Sequence, residues 1–373
     1  MSPFRRRTSG LRRERIHASP RFRDGMFRNS SGVGLRVEKG STLPVMRDFF
    51  FGGRRRVPVA PLPSVSPLQV WARPAETGLR ATWLGHSTLL LEVDGVRVLT
   101  DPVWSRRVSP SRFVGPKRFQ PVPVRISELP PLDAVVISHD HYDHLDYPSI
   151  VELIRHDVPF YTSLGVGAHL EAWGVPPERI TELDWWESAE LPNADFRITA
   201  APSQHFSGRA AADRNRTLWS SFALRGPRHS AFFSGDTGLT AEYEEIARRL
   251  GPFDLVMLEV GAFHPAWGHI HLGPDNALQA LKLLGGGGFL PVHWGTFDLA
   301  IHDWDQPAER LVEIAPSLGA QLLMPMIGSP TEPSRVDGVE TWWRTISVLE
   351  RRGPSVPAER DPAPPMPIGD PID

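Results

Sequence analysis

Between residues 79 and about 295 the chain alternates short apolar runs with polar or glycine-bearing junctions. LRATWLG (79–85), STLLLEV (87–93) and VRVLTDP (96–102) read as strands, because β-branched and aliphatic residues recur over lengths too short for a stable helix. The last two are joined by Asp94-Gly95, a dipeptide that accepts the positive φ angles of a tight hairpin. DAVVIS (133–138), FRITAAP (196–202), HSAFFSG (229–235), FDLVMLEV (253–260) and GFLPVHW (288–294) are further buried-strand candidates. Helices are predicted between them. PSIVELIRH has Pro148 in its first turn, TAEYEEIARRLG has Thr240 as N-cap and Gly251 as its stop, and PDNALQALKLLG opens with proline and closes with glycine. Strands alternating with helices predict a layered α/β architecture.

The flanks differ from this core. Up to Arg56 the chain carries fifteen Arg or Lys against four acids, and prolines crowd the stretch from Pro58 to Pro74. Residues 1–78 are therefore read as a basic arm and proline-rich linker, with 79–350 as the folded domain. By composition the arm is a solvated extension. The alternative is peripheral attachment to a phosphate-bearing lipid surface, with Phe49, Phe50 and Phe51 as an apolar contact. Residues 351–373 are read as a disordered tail, since seven prolines fall in the last 21 residues.

The net charge of −2 gives no global field toward nucleic acid, and with no cysteine the chain has neither disulfides nor thiolate chemistry. Any metal must sit on histidine and carboxylate. No apolar run reaches the roughly 20 residues that span a bilayer, and none follows the basic start as in a signal peptide, so cytoplasmic residence is expected.

The densest chemistry lies in SHDHYDHLD, residues 138–146, directly after the strand DAVVIS. Open α/β sheets place ligands in loops at the carboxyl ends of strands. His139 and His141 alternate along an extended backbone and can converge on one ion, while Asp143 and His144 fall on the next turn and can serve a second. Further donors surface where other strands end: His205 after FRITAAP, Asp236 after HSAFFSG, His293 at the end of GFLPV. Nitrogen and oxygen donors suit zinc, and iron or manganese accept the same set. Asp101 and Asp146 are candidates for orienting the imidazoles, with an ordinary turn or cap role as the alternative for each. His86 is undecided between the site and strand-end packing. Trp185 and Trp186 read as core and lid aromatics, with a substrate clamp as the alternative. Gly285 to Gly288 lack the lysine and hydroxyl of a phosphate loop and read as a helix stop and flexible connection.

HxHxDH followed by separated His, Asp and His resembles the metal pattern of the metallo-β-lactamase superfamily, whose fold is a four-layered αββα sandwich. The resemblance implies that His139, His141 and His205 hold a first ion, Asp143, His144 and His293 a second, and Asp236 bridges both. A narrower likeness covers roughly residues 79–300. TWLGHSTLLLEV, LTDPVWSRRVSPSRFVGPKRF, ISELPPLDAVVISHDHYDHLDY, ELDWWE, PSQHFSGR, FFSGDTG, GPFDL and HWGTFDLA resemble, in order, the N-acylphosphatidylethanolamine-hydrolysing phospholipase D family. That family releases an N-acylethanolamine and phosphatidic acid from a membrane lipid. The likeness implies two zinc ions, a metal-generated hydroxide attacking phosphorus with Asp143 and Asp236 in catalytic roles, and substrate contacts from Tyr142 and His271. One segment departs: GAFHPAWGHIH is about two residues shorter than the family's version, with Ala266 where an arginine is usual.

Rival expectations keep the fold and change the bond, to a lactonase or another ester or amide hydrolase, or to a nuclease, against which the near-neutral charge weighs. A non-enzymatic metal- or lipid-binding module is the reading from another class. Seven donors exceed the four of a closed structural site, which argues against it. The expected partner is a phospholipid or small phosphodiester; an oligomer is compatible with the sequence.

Overall fold

The computed structural model describes residues 10–32, 55–111, 113–210, 212–264 and 269–346. A helix, α1 (Leu11–Ala18), and a small hairpin of β1 (Phe22–Arg23) and β2 (Met26–Phe27) precede a one-turn helix, α2 (Leu68–Trp71). The main body begins with β3 (Leu79–Gly85), β4 (Thr88–Val93) and β5 (Val96–Thr100). Asp94 and Gly95 take φ of 52° and 92° at the predicted hairpin. Next come β6 (Ala134–Ile137), α3 (Tyr147–Leu153), β7 (Phe160–Ser163), α4 (Gly167–Ala172) and β8 (Ile180–Leu183). β15 (Pro330–Thr331), far along the chain, completes a seven-stranded sheet in the order β15-β3-β4-β5-β6-β7-β8.

The second sheet has six strands: β9 (Ser188–Glu190), β10 (Arg197–Ala201), β11 (Ser221–Arg225), β12 (Ser230–Phe233), β13 (Leu255–Glu259) and β14 (Gly288–Val292), ordered consecutively in space. Helices α5 (Glu242–Leu250), α6 (Gly273–Leu283) and α7 (Gln306–Ile314) accompany it. The strand period of two explains the layering. Leu89, Leu91 and Val93 of β4 enter one cluster with Phe222 and Leu224 of the six-stranded sheet. Leu90 between them points the other way, joining Leu99, Val135 and Ile137 against Ile150, Leu153 and Leu170 of α3 and α4. Tyr243, Ile246, Leu278, Leu281 and Leu311 bring α5, α6 and α7 into the first cluster. The result is the four-layered αββα sandwich.

The predicted helices form with small shifts. α5 starts at Glu242 with Ala241 as N-cap, and the Thr240 hydroxyl accepts the Glu242 amide at 3.3 Å. Gly285, Gly286 and Gly287, all at positive φ, carry the chain out of α6 toward β14. Trp185 is buried beside Ile16, Phe27 and Trp219, and its indole N–H donates to the Trp219 carbonyl at 2.7 Å. One ionic group sits inside the seven-stranded sheet. Arg80 and Glu92, cross-strand partners on β3 and β4, are each 3% exposed, with Arg80 Nε 2.5 Å from Glu92 Oε2.

The N-terminal segment is packed on this body over residues 10–32. Arg12 pairs with Glu171 and Glu182, Arg15 with Glu187, and Arg15 also donates to the Glu182 carbonyl. Phe49, Phe50, Phe51 and the proline-rich tail lie outside the described residues, as does Ala266. Among the described residues no helix is long and apolar enough to cross a membrane.

Candidate metal centre

Four strand ends meet at one rim of the sandwich. β6 runs into His139–His144, β10 into His205, β12 into Asp236, and β14 into His293. The sheet topology alone brings them together, since β10, β12 and β14 share one sheet and β6 lies in the facing one. His293 takes a left-handed φ of 66°. A side-chain carbon at Gly261 would lie 1.9 Å from the His293 carbonyl oxygen, so this close approach requires glycine.

All seven predicted donors converge, in two groups that share Asp236. In the first, His139 Nε2 is 2.8 Å from His141 Nδ1, which is 3.3 Å from His205 Nε2; Asp236 Oδ2 lies 3.9 Å and 3.7 Å from the His139 and His205 nitrogens. In the second, Asp236 Oδ1 is 3.1 Å from His144 Nε2 and 3.2 Å from His293 Nε2, and Asp143 Oδ2 lies 3.5 Å and 3.3 Å from the same nitrogens. Donors at ~2.0–2.2 Å from a tetrahedral ion are themselves about 3.3–3.6 Å apart, a spacing that the separations in the two groups bracket. His144 Nε2, His293 Nε2 and Asp236 Oδ1 are buried without a hydrogen-bond partner. Polar atoms so placed are costly unless something charged satisfies them, and a cation does so.

Electrostatics divide the two groups. Burial pushes the His139, His141 and His205 imidazoles below their ordinary value, keeping lone pairs available. Around His144, burial is outweighed by the Asp236, Asp143 and Asp101 carboxylates, which hold it well above the usual range. Against the same burial, His293 is raised to about 10, chiefly by Asp236. Asp143 and Asp236 stay ionised despite burial because these imidazoles surround them. This half of the site favours positive charge.

Outer contacts fix the imidazole orientations. Asp101 Oδ2 accepts from His144 Nδ1 at 2.7 Å and from the Ser138 hydroxyl at 2.6 Å, which answers one of the two open aspartates. Asp146 serves the turn instead. It is the residue before α3, and its carboxylate accepts from the Ser149 hydroxyl and the Ser105 amide. His86, at φ 54°, joins the second group with Nε2 3.1 Å from Asp143 Oδ2. His271 also lies in the cluster, its ring 5.3 Å from His205 and 5.5 Å from His293. Tyr142 flanks it: the ring lies 3.9 Å beneath the Arg209 guanidinium and the hydroxyl donates to the Arg209 carbonyl.

Three participants had escaped sequence reasoning. Glu259, the last residue of β13, is fully buried; its Oε2 accepts from His271 Nδ1 at 2.7 Å, and its Oε1 from the Thr237 amide at 2.8 Å. Burial raises its carboxyl above the ordinary value, and Glu259 in turn raises His271 against burial. A glutamate closing an apolar strand was the available signal. Asp140, held to about 2 against burial by His169, braces the histidine loop by accepting from the Gly208 amide and the Thr217 hydroxyl. Asn29 left no signal, being 176 residues from its partner. Its side-chain oxygen accepts the His205 amide at 3.2 Å, and its nitrogen donates to the His205 carbonyl at 3.0 Å.

Beside His86 and His293 the free space is about 20 Å³, closed by Phe119, Phe297, Leu299 and Trp304. That is about the room of one water molecule. A larger cavity of about 640 Å³, near Trp104, Phe119 and Pro121, contains none of the seven donors.

Comparison with known proteins agrees with this architecture. Residues 96–294 match the β-lactamase superfamily domain. A Mycobacterium tuberculosis protein of no assigned activity is 44% identical over 87% of this chain and 88% of its own length. The Caenorhabditis elegans N-acyl-phosphatidylethanolamine-hydrolyzing phospholipase D 1 is 38% identical over 64% of this chain and 70% of its own. Among solved structures, a metallo hydrolase from Ignicoccus hospitalis superposes with a TM-score of 0.52 at 22% identity, over 68% of this chain and 97% of that one, a likeness of fold. The chain belongs to the metallo-β-lactamase superfamily, as a metallo-hydrolase of that fold similar to the N-acylphosphatidylethanolamine-hydrolysing phospholipases D.

Proposed function

We propose that this chain is a dinuclear zinc phosphodiesterase of the phospholipase D type, acting on N-acylphosphatidylethanolamine-like lipids. The observation that carries the reading is the pair of donor groups sharing Asp236, in a chain 38% identical to a phospholipase of that name. His139, His141, His205 and Asp236 would hold one ion, and Asp143, His144, His293 and Asp236 the other. Bound there, two divalent ions supply Lewis acidity for phosphoryl oxygens and an ionised water at neutral pH.

The protein's own groups set the geometry. Asp101 commits His144 Nδ1, and the Ile270 carbonyl, 3.0 Å from His205 Nδ1, commits His205, so both present Nε2 to the centre. Glu259 holds His271 Nδ1, leaving its Nε2 for substrate oxygen. In the net reaction water adds its oxygen to phosphorus, the bond from phosphorus to the ethanolamine oxygen breaks, and the proton ends on the released N-acylethanolamine hydroxyl. Tyr142, with Val103, Val108, Phe297 and Leu299, forms an apolar wall that can exclude bulk water.

Protein purified without added metal, analysed for metal and then supplied with N-acylphosphatidylethanolamine, is expected to contain about two zinc ions per chain and to release N-acylethanolamine and phosphatidic acid. Turnover of lactones with none of the phosphodiester would overturn the assignment. A second expectation concerns Asn29. Asn29→Ala should lower zinc affinity about 10–100-fold, measured by competition with a chromophoric chelator, with little change in the far-UV circular dichroism. Unchanged affinity would remove Asn29 from the site's support.

A further inference from the structure

From Pro102 to Arg125 the sequence holds six Arg or Lys and no acid, in a chain whose net charge is −2. The structure folds the middle of this segment into a finger. Arg107 bridges antiparallel to Lys117, the Val108 amide donates to the Pro116 carbonyl at 3.2 Å, and the Arg118 amide donates to the Arg106 carbonyl at 2.8 Å. At the tip, Phe113 and Val114 are each 71% exposed, more than nearly every other large apolar residue described. Two adjacent apolar side chains in water cost free energy unless something covers them.

The base of the finger is anchored beside the metal centre. The Phe119 amide donates to the Thr296 carbonyl at 2.9 Å, and the Asp298 amide to the Lys117 carbonyl at 3.1 Å. The buried Arg118 guanidinium donates to the Val103 and Ser105 carbonyls and lies 4.2 Å over the Phe297 ring, which meets His86 edge-on at 5.1 Å. Of the nearby acids, Glu128 is paired with Arg125 and Asp298 with Arg56. Among the described residues Arg106, Arg107 and Lys117 form no ion pair, and Arg106 and Lys117 are exposed. An apolar tip on a stem that carries unpaired cations matches one surface in particular: acyl chains beneath anionic headgroups.

We propose that residues 105–111 and 113–118 form a docking finger that inserts Phe113 and Val114 into an anionic lipid surface and thereby brings the mouth of the metal centre onto the bilayer. Attachment is local and built into the hydrolase body, separate from the basic arm at the N-terminus. It holds whichever bond the centre cleaves, because it rests on the finger's charge and exposure and not on the substrate.

The test is co-sedimentation of the full chain with vesicles of phosphatidylcholine alone and of phosphatidylcholine with phosphatidylglycerol. The full chain should pellet with the anionic vesicles and be released by salt. The Phe113→Ser/Val114→Ser double variant should bind at least about tenfold more weakly. Arg106→Glu/Lys117→Glu should weaken binding by about fivefold or more for each position changed. All should hydrolyse a soluble short-chain phosphodiester at the parent rate. Vesicle binding by both double variants equal to the parent's, or no binding by the parent, overturns the proposal. A concentration-dependent dimer that the Phe113→Ser/Val114→Ser change dissolves also overturns it, by assigning the tip to a second copy. Vesicle binding with no phosphodiester turnover would instead refute the proposed reaction and leave the finger standing.

Discussion

Asp236→Ala should reduce hydrolysis by far more than the ~10–100-fold typical of losing an outer-sphere support, and should leave less than one metal ion per chain. The reason is that its two oxygens face different groups: Oδ1 lies near His144 and His293, Oδ2 near His139 and His205. Removing it takes a donor from both groups at once, and also the negative charge that makes the second group hospitable to a cation. The core should survive, since Asp236 follows β12 and the apolar clusters do not include it. Metal analysis beside a thermal melt tests this. Two ions per chain in the variant would show that the shared carboxylate is not a ligand.

The largest expected loss of stability lies elsewhere, at Glu92. Arg80 Nη2 donates to the Arg73 carbonyl, and Arg97 approaches the other oxygen of Glu92 at 3.3 Å, so the carboxylate serves two cations. Glu92→Ala strands the Arg80 charge at 3% exposure, and removing one partner of a buried pair costs about 3–5 kcal/mol. Urea unfolding should show the midpoint falling with an unchanged slope. The double change Arg80→Met/Glu92→Leu should recover most of the loss, because apolar side chains of similar size need no partner. A single variant as stable as the parent would mean that water reaches the pair.

The strands that stand out most plainly in the sequence are the nearly uniformly apolar ones. DAVVIS, FDLVMLEV and GFLPV are buried on both faces as β6, β13 and β14, and such runs carry their own label. FYTS (β7), SAE (β9) and SFALR (β11) mix in polar residues whose hydroxyls bond within the sheets, as Ser163 does to the Ser138 carbonyl, so no period stands out. The metal donors were legible for a related reason: each is a titratable residue just past an apolar run, where a buried strand must surface. The supports were less so. Asp101 and Asp146 look alike on paper, each next to a loop, and only the fold determines that one receives His144 while the other receives Ser105 and Ser149. Glu259 was hidden inside its own strand, and Asn29 by distance along the chain.

The Asn29 contact changes what the N-terminal segment is. Its two hydrogen bonds to the backbone of His205, with the Trp219 indole donating to the same Asn29 oxygen at 3.1 Å, form a stitch across the molecule. Arg12 and Arg15 tie down the thread on the way. A fragment trimmed to begin at the first long strand would keep all seven converging donor side chains and lose the knot under one of them. Engineering that aims only at the arm's charge should therefore leave the stitched stretch, residues 10–32, whole.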